Sequence, residues 1–178
     1  MGIAITLAQY LADRSIAYDL VPRSHGVTGS ANAAATGVPA DRFAKAVVLK
    51  SEPGFMLAVV PASRRIRFKE LGQLLGGYVD MANEEQVETL FLDCEPGAVP
   101  ALGEAYGLGV VMDDSLAQEP DVYFEAGDRA SLVHVSGTSF RKLMADARHG
   151  WFSRPAASPA AMGVSRRDWA MGSGLIWC

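Results

Sequence analysis

Cysteine and histidine are scarce in this chain, and their scarcity removes several chemistries at once. Among 178 residues there are 2 cysteines and 3 histidines. Cys94 and Cys178 are too far apart to read as a disulfide framework or a zinc ligand pair. Cys94 stands between Asp93 and Glu95, and acidic neighbours raise a thiol pKa, so a bland structural cysteine is the better reading than a nucleophile. The scattered histidines form no metal motif or triad, and no Gly-x-Ser-x-Gly elbow is present. No metal and no cofactor is expected.

A basic excess is also missing. The formal net charge is −4, which argues against a protein that wraps duplex nucleic acid. The exceptions are local: Arg64-Arg65-Ile66-Arg67-Phe68-Lys69, and more loosely Arg141, Lys142 and Arg148. A solvated face explains both runs adequately, and any nucleic acid bound would be held over a small area. No apolar run approaches the roughly 20 residues that span a bilayer. The first stretch, Ile3 to Ala12, has no basic lead and runs into Asp13 and Arg14, so it reads as a helix and not as an export signal. A cytoplasmic protein without membrane contact is expected.

What the chain does have is apolar content, 49%, in segments of alternating character. Ile5 to Arg14 has helical spacing, and Ile16 to Val21 reads as a short strand ended by Pro22. Ser30 caps a predicted helix through Ala35 to Gly37. Phe43 to Lys50 and Phe55 to Val60 read as a hairpin about Ser51-Glu52-Pro53-Gly54. A helix is predicted from Phe68 to Leu75, a strand from Tyr78 to Met81, and a helix opened by a capping-box pattern at Asn83 and Gln86. Further strands are predicted at Gly109–Met112, Asp121–Phe124 and Leu132–Val135, and a last helix from Phe140 to Ala147. Without strict βαβ alternation the fold class is mixed α/β: a single domain, 1–148, with a curled mixed sheet and surrounding helices. From His149 to Cys178 the composition turns to Ala, Pro, Ser and Gly, and the expectation is a tail of low regularity.

Two features suggest chemistry. Lys45 interrupts the apolar strand Phe43 to Lys50, and a buried ammonium needs an anionic partner, although a lysine at the strand mouth can keep its amine in water. Alternation puts Lys45, Val47 and Leu49 on one face and Ala44, Ala46, Val48 and Lys50 on the other. The second feature is Pro96-Gly97-Ala98-Val99-Pro100, a glycine loop whose N–H groups can come close to a ligand, though Glu95-Pro96-Gly97 is equally a good turn. A cation and an amide loop together suit a ligand with both a phosphate and a carbonyl.

The segments Gly37 to Lys50 and Asp93 to Pro100, with Tyr123 to Gly127 and Ser24 to Thr28 around them, resemble the YbaK and prolyl-tRNA synthetase editing-domain family of aminoacyl-tRNA deacylases. The resemblance runs from about Leu7 to about Arg148. It implies that Lys45 engages the 3′ end of a mischarged tRNA, and that the amides of Gly97, Ala98 and Val99 hold the aminoacyl carbonyl. It places His25, Thr28, Pro100 and Gly127 around the amino-acid pocket. The family's Gly-x-x-x-Pro would put proline at 101, where this chain has Ala101, and its proline is Pro100. The implied activity is trans-editing: ester hydrolysis on a tRNA, tRNA-Pro or a related acceptor charged with a small non-cognate amino acid, with no protein nucleophile. The resemblance further implies that the terminal ribose hydroxyl of the tRNA helps orient or activate the water. His25, and more weakly His134, are alternative bases, although for each a polar residue satisfied in or near the core is the better reading. An aminoacyl-tRNA synthetase is a further implied partner. A non-catalytic module that binds the CCA end or a synthetase is the competing reading, and an esterase of unrelated mechanism fares worse for want of a nucleophile.

Overall fold

The computed structural model describes residues 2–23, 37–52 and 54–156. Helix α1 (Ile5–Asp13) buries Leu7, Tyr10 and Leu11, the positions at helical spacing. Strand β1 (Asp19–Pro22) follows. Strands β2 (Ala44–Ser51) and β3 (Gly54–Pro61) form the predicted hairpin, in register from Ala44 opposite Pro61 to Ser51 opposite Gly54. Then come β4 (Arg64–Ile66), helix α2 (Phe68–Leu75), β5 (Val79–Met81) and helix α3 (Glu84–Leu90). Asn83 and Gln86 close the predicted capping box, each side chain accepting from the other's backbone N–H at 2.9 and 3.0 Å. Strands β6 (Gly109–Asp113), β7 (Asp121–Glu125) and β8 (Ser131–Ser136) lead to helix α4 (Gly137–Leu143), β9 (Arg148–Gly150) and β10 (Ser153–Pro155).

The main sheet has the order β5-β2-β3-β6-β9 and is mixed, because β3–β6 and β6–β9 are parallel while the other pairs are antiparallel. A second sheet, β1-β8-β7, is antiparallel throughout. The two meet where Phe43, just before β2, forms a parallel bridge with Tyr123 of β7. The alternation read from the sequence is borne out along β2. Ala44 and Val48 enter the larger apolar core with α1, α4 and the β7–β8 pair, whereas Val47 and Leu49 enter a second core with Leu71 and Phe152. With both faces covered, β2 is a rigid mount for any side chain at its ends. Among the described residues no helix is long and apolar enough to cross a membrane.

Of the tail expected from His149, the described residues, to 156, are paired with the domain. Strand β9 adds to the main sheet, and β10 pairs with β4. Phe152 between them is fully buried; its N–H donates to Asp113 at 3.0 Å, and its carbonyl accepts from the Arg67 N–H at 2.7 Å. One buried aromatic ring with its backbone groups satisfied holds this segment, a signal that Ala- and Pro-rich composition conceals. Burial pulls the Asp113 carboxyl upward, but hydrogen bonds from Ser115, Ser153 and the Phe152 N–H outweigh it and hold the pKa below its ordinary value. The predicted Ser30-capped helix and residues 157–178 lie outside the described residues.

Candidate functional site

The glycine loop is a tight turn with a fixed back side. The Ala98 N–H donates to the Glu95 carbonyl at 3.0 Å, with Pro96 and Gly97 between them. Gly97 has φ +80°, the positive value that a type II turn requires at its third residue, after a proline at the second. Across the loop, the connection between β7 and β8 grips it. The Glu95 N–H donates to the Gly127 carbonyl at 2.8 Å. The Arg129 N–H reaches the Glu95 carboxylate at 3.0 Å. The Arg129 guanidinium donates twice to the Pro96 carbonyl, from Nε at 2.9 Å and from Nη2 at 2.6 Å.

This grip has a directional consequence. In a trans peptide the C=O and N–H point opposite ways, so with the Pro96 carbonyl turned toward Arg129, the Gly97 N–H faces away from it. Among the described residues the N–H groups of Gly97 and Val99 meet no acceptor; Gly97 is exposed and Val99 half-buried. The Ala98 N–H, expected to act beside them, is instead engaged inside the turn. The loop thus presents two amides rather than three. Pro100 is buried, and Ala101 is fully buried in the larger core, so the departure at 101 is met by packing and not by solvent.

Gly127 belongs to the same assembly. Its φ is +98°, and an added Cβ would lie 2.5 Å from the Ala4 Cβ and 3.3 Å from the Cys94 Sγ. The backbone there fits only because no side chain intervenes. Cys94 itself, 3.2 Å from the Tyr106 hydroxyl, has its thiol pushed up to about 11, chiefly by burial and further by Asp93. It is a packed thiol, in agreement with the sequence reading.

Lys45 is half-buried near the start of β2, opposite Val60 of β3. Strand β7 links it to the loop assembly. Phe43 bridges Tyr123 in parallel, and the Tyr123 N–H donates to the Arg42 carbonyl at 2.9 Å. Two residues onward along each chain, on the same side by alternation, stand Lys45 and Glu125. Glu125 is buried and pairs with Arg23 at 2.5 Å. Burial raises its carboxyl to about 7 against the pull of Arg23. Asp128, buried just beyond, accepts from the Ala130 N–H at 3.1 Å and shapes the connection that carries Arg129.

His134 does not face this region as a free base. Its Nε2 lies 3.0 Å from Asp121 and its Nδ1 3.4 Å from Asp19, and its ring stacks on Tyr123 at 4.6 Å. It braces β1, β8 and β7. His25 and Thr28 lie outside the described residues. Sequence reading missed Arg23, Glu125, Asp128 and Arg129. The only signal available was the string Tyr123-Phe124-Glu125-Ala126-Gly127, which draws attention to the glycine and says nothing of the charges around it. Among the described residues no group of three metal-ligating side chains converges.

Comparison with known proteins gives this geometry a family. The sequence profile of the aminoacyl-tRNA editing domain matches residues 24–143. Proline–tRNA ligases of two strains of Xanthomonas oryzae pv. oryzae, MAFF 311018 and KACC10331 / KXO85, are each 31% identical to the chain over 106 residues. That match covers 58% of this chain but only 18% of the ligase. Among solved structures, a candidate trans-editing enzyme for prolyl tRNA synthetase aligns with a TM-score of 0.74 at 22% identity, over 85% of this chain and 96% of that one. A scaffold protein used for epitope backbone grafting aligns equally well, with a TM-score of 0.74 at 22% identity, over 85% of this chain and 97% of the other. At such identities these two likenesses show the fold, and the sequence profile supplies the family. The chain belongs to the aminoacyl-tRNA editing domain family.

Proposed function

We propose that the protein is a trans-editing aminoacyl-tRNA deacylase that removes a small non-cognate amino acid from tRNA-Pro. The observation that carries this reading is the Glu95–Ala98 turn, whose Pro96 carbonyl is held by Arg129 while the Gly97 and Val99 amides meet no acceptor among the described residues. Water attacks the ester carbonyl carbon, the bond to the ribose oxygen breaks, and the amino acid leaves as its carboxylate while the terminal hydroxyl of the tRNA is restored. Each well-placed amide lowers the barrier by about 3–4 kcal/mol as the oxyanion forms. An aminoacyl ester is already reactive, so that contribution goes far without a protein nucleophile. The terminal ribose hydroxyl orients the water.

Lys45 serves as a cation for the 3′-terminal phosphate, a point charge on a flexible stem mounted on a rigid strand. His25, Thr28, Pro100 and Gly127 stand around the amino-acid pocket, Gly127 by holding the loop from behind. On this reading the protein works in the cytoplasm, where its substrate is made, and an aminoacyl-tRNA synthetase is its docking partner. One observation favours a second reading, a module that binds an aminoacyl end without turnover: the Ala98 amide is engaged inside the turn, which leaves the loop with fewer donors for an oxyanion. Incubating the protein with tRNAs charged with Ala, Ser, Thr, Cys and Pro separates the two. Release of one or two non-cognate amino acids supports the deacylase. Retained binding with every ester intact supports the module.

A further inference from the structure

The basic run at Arg64 to Lys69, which reads from sequence as a solvated face, takes on a different character once β10 is paired with β4. The register sets Arg154 directly opposite Arg65, with Ser153 opposite Ile66 and Pro155 opposite Arg64. Ile66 packs against the second core and Ser153 is buried, so alternation turns Arg65 and Arg154 outward together, and both are exposed. Directly opposite residues on one face have Cβ atoms about 5 Å apart, and like charges there are destabilising. Among the described residues neither arginine has an acidic partner. Lys69, also exposed, stands in the first turn of α2, the helix end that disfavours a cation. Arg67 is paired with Glu70 at 3.0 Å. Arg64 holds the ribbon together by donating to Ser153 Oγ at 2.7 Å and to the Ser153 carbonyl at 3.0 Å, across 89 residues of sequence.

Folding alone gains nothing from this arrangement. In a chain with a net charge of −4, two segments distant in sequence set two exposed arginines opposite one another with no acidic partner among the described residues. A polyanion bound between them removes the repulsion, and the planar guanidinium fork suits phosphate oxygens. The ribbon also begins at the end of the sheet where Lys45 sits. Val60 faces Lys45, and Arg65 follows five residues later, so the Arg65 Cα lies within about 18 Å of the Val60 Cα and within about 23 Å of the Lys45 Cα.

We infer that the β4–β10 ribbon, through Arg65 and Arg154 with Lys69 beside them, is a phosphate-contact surface for RNA. It holds the acceptor stem while the 3′ end reaches Lys45. The inference rests on the reading of the protein as acting on aminoacyl-tRNA and adds where that RNA is gripped.

The test uses the full chain and an Arg65→Ala/Arg154→Ala double variant. The readouts are direct binding of uncharged tRNA across a salt series, deacylation of the charged tRNA, and deacylation of an aminoacyl-adenosine that lacks the stem. The expected result is a double variant with a Tm equal to or above wild type, about tenfold weaker tRNA binding, and a log–log salt slope shallower by about 1–2. Its hydrolysis of aminoacyl-adenosine stays unchanged. Unchanged tRNA affinity and salt slope overturn the inference. Equal losses on tRNA and aminoacyl-adenosine overturn it too, because the variant then acts on the catalytic site. So does loss of binding to a prolyl-tRNA synthetase with tRNA binding intact, which makes the ribbon a protein-docking surface. Because binding is read without turnover, a wild type that binds tRNA through the ribbon but hydrolyses nothing defeats the deacylase reading and leaves this one standing.

Discussion

The Arg129 guanidinium holds the Pro96 carbonyl through two hydrogen bonds, at 2.9 and 2.6 Å, from a segment 33 residues away. That contact turns the Pro96–Gly97 peptide so that the Gly97 N–H faces away from Arg129. Under the proposed deacylase reading, Arg129 is a positioning residue that acts on the oxyanion only through the peptide it orients. Arg129→Ala is expected to lower kcat about tenfold or more, since a fully lost oxyanion donor costs about a hundredfold or more. KM and Tm should change little, because Arg129 is exposed. Added guanidinium ion should recover part of the rate. Steady-state kinetics settles the point, and a rise in KM at constant kcat would make Arg129 a binding group instead.

Gly127→Ala tests the packing behind the loop. The new Cβ would meet Ala4 at 2.5 Å in a backbone of φ +98°, and strain and overpacking together predict a loss of about 2–4 kcal/mol. Gly109→Ala is the control, since nothing lies within 4 Å of its added Cβ. Urea denaturation of the two variants should separate them clearly.

Cys94 should prove dispensable for turnover. With its thiol at about 11, only about one molecule in a thousand carries the thiolate at pH 8. In a Cys178→Ser background, alkylation by iodoacetamide should be slow at pH 8 and accelerate toward pH 11. Cys94→Ser should keep full deacylase activity.

The Arg23–Glu125 pair predicts a pH signature. Burial lifts the Glu125 carboxyl from its ordinary 4.5 to about 7, so the folded state holds a proton that the unfolded state has already released. Stability from this source is complete below pH 4.5 and is lost as the pH rises through about 7. Glu125→Gln should flatten the fall in Tm between pH 5 and 8. Thermal melts of both proteins across this range check the sign directly.

Local signals in the sequence account for much of the fold. Helix α2 has the predicted bounds because Gly76 and Gly77 follow an apolar stripe, and the Asn83–Gln86 capping box forms as its spacing requires. The two faces of β2 follow from its alternation. What stayed hidden depends on pairing between distant segments. Strand β4 is three residues long with two arginines, and its partner β10 lies in a stretch rich in alanine and proline; nothing local marks either as a strand. The same holds for the candidate site. Gly97 and Lys45 stand out as a glycine in a turn and a cation among apolar residues. Arg129 and Glu125 matter only through what they touch, 33 and 102 residues away.

The most direct test of the account is single-turnover deacylation of mischarged tRNA-Pro by wild type beside Lys45→Ala. The account predicts that wild type releases a small non-cognate amino acid, that the Lys45→Ala rate falls at least about a hundredfold, and that its Tm stays near wild type. A stable variant that hydrolyses as fast as wild type would contradict the role of Lys45. A wild type that leaves every ester intact while still binding tRNA would contradict the deacylase itself.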